Sequence, residues 1–241
     1  MTVPPGISFA GRHHIDGRLL FDADILLPGG QWTCLLGRSG VGKSTILRLI
    51  LDLETGGRFT GRITATDGAV LAGRISYMAQ SDLLLPWLSV LENVCIGARL
   101  RGEAPDAARA ADLLARVGLA DHLGSQPNTL SGGMRQRAAL ARTLFEDRPI
   151  VFLDEPFSAL DAGTRADMQD LAAEVLHGRT VLLVTHDPSE ATRLGHRIII
   201  MSAQGVTRWP LPDTAAPRAI DDPQTLACQT RLLAHLRGVA A

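Results

Sequence analysis

One nine-residue segment restricts the fold of this chain more than any other. Gly37-Arg38-Ser39-Gly40-Val41-Gly42-Lys43-Ser44-Thr45 fits G-x-x-x-x-G-K-[ST] and lies between an apolar, strand-like run at 32–36 and a helix-like run at 45–53. The chain must therefore turn from a strand directly into a helix start. Glycines let successive backbone N–H groups converge on phosphate oxygens, and the helix N-terminus adds its partial positive charge. Lys43 can reach the outer phosphates, and Ser44 can offer a hydroxyl to Mg2+. The segment implies binding of a nucleoside triphosphate.

The rest of the chain extends that strand-to-helix step. Apolar runs at 32–36, 150–153 and 181–185 are followed by helical patterns at 45–53, 165–176 and 189–194, and a last strand-like run covers 198–201. Near-continuous apolar strands alternating with helices predict an α/β fold, a mainly parallel sheet covered by helices on both faces. Shorter pieces at 7–25 and 61–75 predict an added antiparallel β layer. Between 81 and 145 the pattern turns helical, at 90–100, at 106–117 closed by Gly118, and at 132–145 ended before Pro149. That stretch is expected to be an inserted helical subdomain. Residues 209–223 read as a loop, and 224–236 as an amphipathic helix with Leu226, Leu232, Leu233 and Leu236 on its apolar face.

Composition narrows the partners. The net charge of −1 carries no basic excess, which disfavours nucleic acid. Cys34, Cys95 and Cys228 are scattered without C-x-x-C spacing, which argues against a disulfide framework and a zinc site. No apolar stretch approaches the ~20 residues of a membrane-spanning helix, and residues 1–10 lack a basic region followed by an apolar run. The expectation is a protein neither integral nor secreted, so that any membrane role comes through a partner.

Two further segments carry chemistry. The run at 150–153 ends in Asp154 and Glu155, delivering carboxylates to the C-terminal edge of a parallel strand, where open α/β sheets bind ligands. Asp154 suits Mg2+, a hard cation that prefers oxygen, and Glu155 can orient or deprotonate an attacking water. Ser131-Gly132-Gly133, at the start of the 132–145 helix, offers a hydroxyl and exposed N–H groups to a second anion. A helix cap followed by flexible glycines fits the same three residues.

Taken together, these residues resemble the ATP-hydrolysing subunit of an ATP-binding cassette (ABC) transporter, with the family's motifs in order from the phosphate loop to Met201. The resemblance implies a RecA-like phosphate-loop NTPase fold in one domain over 1–241. Its catalytic core would span 1–80 and 146–208, its helical signature subdomain 81–145, and its C-terminal loop and helix 209–241. It implies ATP and Mg2+ as ligands, Gly37 to Thr45 as Walker A, Gln80 as the Q-loop glutamine, and 150–155 as Walker B. Leu130 to Gly133 would be the signature, Ser158 to Asp161 the D-loop, and His186 the switch histidine. Catalytic roles would fall to Glu155, His186, Gln80 and Lys43, and metal contacts to Ser44, Gln80 and Asp154. In this family two subunits pair head to tail, each ATP lying between Walker A of one and Ser131, Gly132 and Gly133 of the other. The expected partners are thus a second ATPase subunit, membrane permease subunits and, indirectly, a solute-binding protein, at the cytoplasmic face of the inner membrane.

Two positions depart from the family pattern. The stretch from Arg12 to Arg18 holds no aromatic residue to stack on adenine, which leaves His13 or His14 to substitute. Met134 stands where glutamine is common. After Gln80, the run Leu83-Leu84-Leu85-Pro86-Trp87-Leu88 forms an apolar cluster that reads as a groove for a partner helix, with packing of the helical insert as the other explanation. Leu-Leu-Pro-Trp also resembles importers of nitrate, sulfonates, taurine and thiamine-precursor pyrimidines. A soluble, non-transport cassette ATPase is the second functional reading. The chain lacks the charged linker and long coiled coils of such relatives.

Overall fold

The computed structural model describes residues 3–202 and 205–238. Chain order is β1 (Ile7–Ile15), β2 (Arg18–Leu27), β3 (Trp32–Gly37), α1 (Lys43–Ile50), β4 (Arg58–Ala65), β5 (Ile75–Met78), α2 (Val90–Leu100), α3 (Ala107–Arg116), α4 (Gly132–Phe145), β6 (Ile150–Asp154), α5 (Ala162–Val175), β7 (Thr180–Val184), α6 (Pro188–Leu194), β8 (Arg197–Ser202), β9 (Gly205–Trp209) and α7 (Pro223–Gly238). These elements form two compact units. One takes in the chain up to Ile75, Pro149–Phe152 and the chain from Gly178 onward; the other takes in Ser76–Arg148 and Leu153–His177.

In the first unit, β2, β1 and β4 form an antiparallel sheet in that order. Period-two patterning decides which face is inside: Phe21, Ala23, Ile25 and Leu27 are buried, while Asp22, Asp24 and Leu26 between them are exposed. On β1 the inward set includes Ile7, Phe9 and His13. Ring centroids of Phe9 lie 6.1 Å from Phe21 and 5.4 Å from Phe59, and such aromatic pairs each contribute about 1 kcal/mol beyond area burial. This is the expected antiparallel layer.

In the second, six-stranded sheet, the strands of this unit follow the order β6-β7-β3-β8-β9. β3 runs parallel to both β7 and β8, and β9 pairs antiparallel to β8. Every residue of β7 and all but Gly37 of β3 are buried, so a sheet covered on both faces explains why these strands read as unbroken apolar runs. The mainly parallel α/β architecture expected from the alternation is what the chain adopts.

Helix ends depart from the apolar periodicity for reasons of capping. α1 stops at Ile50, three residues short of the expected end, because Asp52 takes a left-handed φ of 56°. The N–H of Leu53 then bonds the Arg48 carbonyl at 2.8 Å and that of Asp52 the Leu49 carbonyl at 3.2 Å, the closing pattern of a Schellman motif. Across the chain, α5 starts three residues earlier than expected because the Asp161 carboxylate accepts the Thr164 N–H at 3.0 Å. α7 also corrects an expectation: only Leu232 of its four leucines is buried, beside Thr225 and Cys228, whereas Leu226 and Leu233 are exposed. Spacing of i, i+3 and i+7 places Thr225, Cys228 and Leu232 on the inner face, and Leu226 and Leu233 follow one position later on the outer one.

The loop before α7 is held by one buried charge. Arg218 donates to the carbonyls of Thr192 at 2.9 Å, Gly195 at 2.8 Å and Pro212 at 3.1 Å, so both terminal nitrogens of its guanidinium meet backbone acceptors, while the buried Nε bonds none.

The second unit is helical, with α2, α3, α4 and α5 and two turns of 3-10 helix, Ala120–His122 and Pro127–Thr129. Ser89 and Glu92 form a reciprocal capping box at α2, and Asp106 and Ser131 cap α3 and α4. Its core gathers Val94, Ala98, Ala110, Leu114, Ala138, Ala141 and Leu144, all 5% exposed or less. Small residues on facing helices allow close approach.

Candidate functional site

In the first unit, β3 delivers the chain to the 37–45 loop and α1 receives it. Gly42, with φ of 101°, occupies the cap position of α1 and offers no side chain to the first-turn N–H groups. A Cβ there would meet the Phe21 ring at 2.7 Å, and one at Gly37 would meet the Met201 carbonyl at 2.4 Å. Both positions therefore exclude side chains by sterics as well as conformation. Lys43 is 9% exposed, and its Nζ donates to the carbonyls of Gly37 at 2.8 Å and Arg38 at 2.9 Å, so the loop closes around its own ammonium group. Arg38, Ser39, Gly40 and Ser44 are exposed, Val41 and Thr45 half-buried. A concave frame of N–H groups with a cation at its centre matches the chemistry of a polyphosphate.

A cavity of about 880 Å3 opens beside this loop, lined by Gly37 to Val41, His186, Met201, Leu20 and Leu236 among others. His186 follows β7 and is itself exposed. Its turn is stiffened by Thr185 Oγ1 donating to Glu190 Oε2 at 2.6 Å and by the Ser189 N–H donating to Asp187 Oδ1 at 2.8 Å. The structure thus brings His186 to the same cavity as the phosphate loop. Leu20 and Leu236 were missed by sequence reasoning, since single aliphatic residues on a strand and a terminal helix carry no signal.

His13 does not lie in this cavity. It is fully buried on the inward face of β1, its ring stacked on Phe21 at 5.7 Å with an interplanar angle of 23°. The alternation of β1 sends residue 13 to the same side as Phe9, and a register shift follows between His13 and His14. His13 is therefore a core residue and cannot stack on a base. Burial, with a smaller contribution from His14, lowers its pKa from the ordinary 6.5. The unfolded chain then takes up the proton first, so the stability contributed by neutral His13 is full above about pH 6.5 and is lost as pH falls toward the depressed folded value, at no more than about 1.4 kcal/mol per pH unit. His13→Leu is expected to flatten this slope between pH 7.5 and 5.5 in urea unfolding. An unchanged slope would show that His13 titrates alike in both states.

The second unit holds the remaining motif residues. Asp154, 4% exposed, ends β6. Glu155 follows with φ of 50°, an unfavourable left-handed conformation for a residue with a side chain. Gln80, 75 positions earlier, donates from Nε2 to Glu155 Oε2 at 3.1 Å. These two side chains, linked in sequence only by family resemblance, are in direct contact. Ser131 is exposed at the α4 N-terminus and its hydroxyl accepts the Met134 N–H at 3.3 Å; Gly132 is exposed and Gly133 half-buried beside it. The Met134 side chain has no part in that cap, which uses only its backbone.

The segment after Gln80 is shaped by arginines of α4. Arg135 pairs with Asp82 at 3.1 Å, and Arg142 donates to the carbonyls of Asp82 at 2.6 Å and Leu83 at 2.8 Å. Burial lowers the Arg142 pKa, against the opposing influence of Asp82 and Glu146. Leu84 is buried, whereas Leu83 and Trp87 are 62% and 69% exposed. Packing therefore explains Leu84 and leaves Leu83 and Trp87 facing outward. Among the described residues no helix is long and apolar enough to cross a membrane, and no group of three or more His, Cys, Asp and Glu side chains is arranged to hold a metal ion.

Comparison with known proteins identifies the family. A sequence profile described as ABC transporter matches residues 20–158. The chain is 42% identical over 231 residues to an uncharacterized ABC transporter ATP-binding protein of Haemophilus influenzae, covering 92% of this chain and 95% of that one. It is 44% identical over 226 residues to the aliphatic sulfonates import ATP-binding protein SsuB 1 of Rhodococcus jostii, covering 92% and 89%. Its fold matches the dimeric ATP-binding cassette MJ0796, solved in a post-hydrolysis state bound to ADP and Pi, with a TM-score of 0.73 at 28% identity over 88% of this chain and 99% of that chain. A bacterial Atm1-family ABC exporter with ATP bound shares the fold alone, with a TM-score of 0.76 at 22% identity over 97% of this chain and 43% of that chain. The chain belongs to the ABC transporter family, as one of that family's ATP-hydrolysing cassettes.

Proposed function

We propose that this chain powers a membrane importer of small organic anions, sulfonates foremost, by binding ATP between two copies of itself and hydrolysing it. The observation that carries the nucleotide part is the glycine loop closed around the Lys43 ammonium, with an exposed hydroxyl, Ser44, one residue further on. The loop N–H groups and Lys43 would hold the β- and γ-phosphates of ATP, and His186 would hydrogen-bond the γ-phosphate. Ser131, Gly132 and Gly133 of the second copy would complete its coordination.

The donors assigned to Mg2+, Ser44, Gln80 and Asp154, are hydroxyl, amide and carboxylate oxygens, and the Asp154 carboxylate is nearly buried at its strand end. Oxygen donors of these kinds suit an ion that takes one or two protein carboxylates and fills its other positions with phosphate and water. Bound there, Mg2+ supplies charge neutralisation at the transferring phosphoryl group. Glu155, its carboxylate oriented by Gln80, would align the attacking water and receive its proton.

The import part rests on the 44% identity to the Rhodococcus jostii protein and on the exposed Leu83 and Trp87. An exposed apolar pair beside the Q-loop suits a helix of a permease subunit, which would hold the chain at the cytoplasmic face of the inner membrane and link it to a solute-binding protein. Leu83→Glu with Trp87→Glu is expected to cut co-purification with the permease at least about tenfold, while phosphate release by the purified chain stays within about twofold. Should attachment persist, the permease contact lies elsewhere on the chain. Recovery of active chain with no polytopic membrane protein would favour the soluble, non-transport reading.

A further inference from the structure

Gln136, in the second turn of α4, points inward and is 6% exposed. Every polar atom of its side chain has a partner. Nε2 donates to the Glu155 carbonyl at 2.9 Å and to Ser158 Oγ at 3.3 Å, and Oε1 accepts the Ala159 N–H at 2.8 Å. The orientation of the amide follows from these partners: turned over, it would set an NH2 against the Ala159 N–H and an oxygen against the Glu155 carbonyl.

The Glu155 carbonyl receives a second side-chain bond, from Ser158 Oγ at 3.0 Å. Two donors converging on one carbonyl restrain the peptide plane that follows Glu155, at a residue whose φ of 50° is disfavoured for anything but glycine. A strained backbone persists only where its surroundings hold it. From that conformation the Glu155 carboxylate meets Gln80. A buried apolar side chain would fill the same space on α4 but hold none of these groups.

We infer that Gln136 is a positioning residue for ATP hydrolysis. It keeps the Glu155 backbone in its left-handed conformation and so aims the carboxylate. It also ties that carboxylate, and the Ser158–Ala159 turn, to the helix that Ser131 caps and that begins with Gly132 and Gly133. A shift of the first turn of α4 on engaging nucleotide would thereby be felt at Glu155. This rests on the reading of Glu155 as the group that acts on water, and the test separates the two.

Phosphate release by the purified full-length chain, with single-turnover rates where turnover is slow, is compared for wild type, Gln136→Met, Glu155→Gln and the double variant. Q136M is expected to lower kcat by about 100-fold, as misplacement of a catalytic group by about 1 Å does, and to leave KM for ATP within about threefold. The double variant is expected to be no slower than E155Q alone, within about twofold, because the two residues act as one unit. If E155Q hydrolyses at the wild-type rate, the role of Glu155 fails, and Gln136 loses its object. If E155Q is slow but Q136M is not, or if the two losses multiply, the inference about Gln136 is overturned while Glu155 stands. Should Q136M be recovered unfolded, Gln136→Glu takes its place: it has the same shape, keeps the acceptor for Ala159 and lacks the donor to Glu155, and it is held to the same kcat loss.

Discussion

Glu155→Gln is expected to slow ATP hydrolysis by at least about 100-fold, the ordinary contribution of a positioned general base, with ATP affinity within about threefold of wild type. The substitution keeps the shape of the side chain and an oxygen to accept from Gln80 Nε2, which lies 3.1 Å from the carboxylate. What it removes is the group that can take the proton of the attacking water. ATP should then stay bound unhydrolysed and, in the proposed sandwich, where its contacts would come from both copies, hold the two together. Single-turnover phosphate release beside an equilibrium ATP titration separates the two effects. Unchanged turnover would count against the role of Glu155.

Lys43→Ala is expected to weaken ATP binding by about 100-fold, which corresponds to loss of about 2.7 kcal/mol and lies within the range for hydrogen bonds to a charged group. The ammonium already sits 2.8 Å and 2.9 Å from two loop carbonyls, Gly37 and Arg38. Its removal takes the cation away from the phosphate and also loosens the loop that presents the N–H groups. Isothermal titration with ATP and Mg2+, alongside far-UV circular dichroism to establish folding, measures the loss. Affinity within about threefold of wild type in a folded variant would discredit the phosphate-loop assignment.

Much of the fold was legible because its strands are buried on both faces and therefore unbroken in sequence. α4 was read at its observed bounds, Gly132–Phe145, because Ser131 caps one end and Pro149 follows the other. α1 was not, because its end is set by the left-handed Asp52, a local hydrogen-bonding choice that apolar periodicity does not register. The corrected reading of α7 has a similar source: leucine spacing suggested a face, but Thr225 and Cys228 occupy it with Leu232. The β1 alternation already placed His13 inside with Ile7 and Phe9, so its exclusion from base contact was available from period-two reasoning.

The site divides in the same way. Gly37, Gly42 and Lys43 lie within one short segment, and their spacing alone announces phosphate chemistry. Gln80 and Glu155 touch across 75 positions, and nothing in either local sequence states that they pair. Gln136 is less visible still, a polar side chain in an otherwise ordinary helix whose meaning lies in the carbonyl and hydroxyl it meets. Leu20 and Leu236 reach one cavity from opposite ends of the chain, which only folding reveals.

Light scattering of the Glu155→Gln chain, with ATP and Mg2+ and again with ADP and Mg2+, tests most directly whether one nucleotide is clasped by two copies. The sandwich predicts twice the mass of a single chain with ATP and a single-chain mass with ADP. A single-chain mass in both, at ATP concentrations that saturate the phosphate loop, would contradict it.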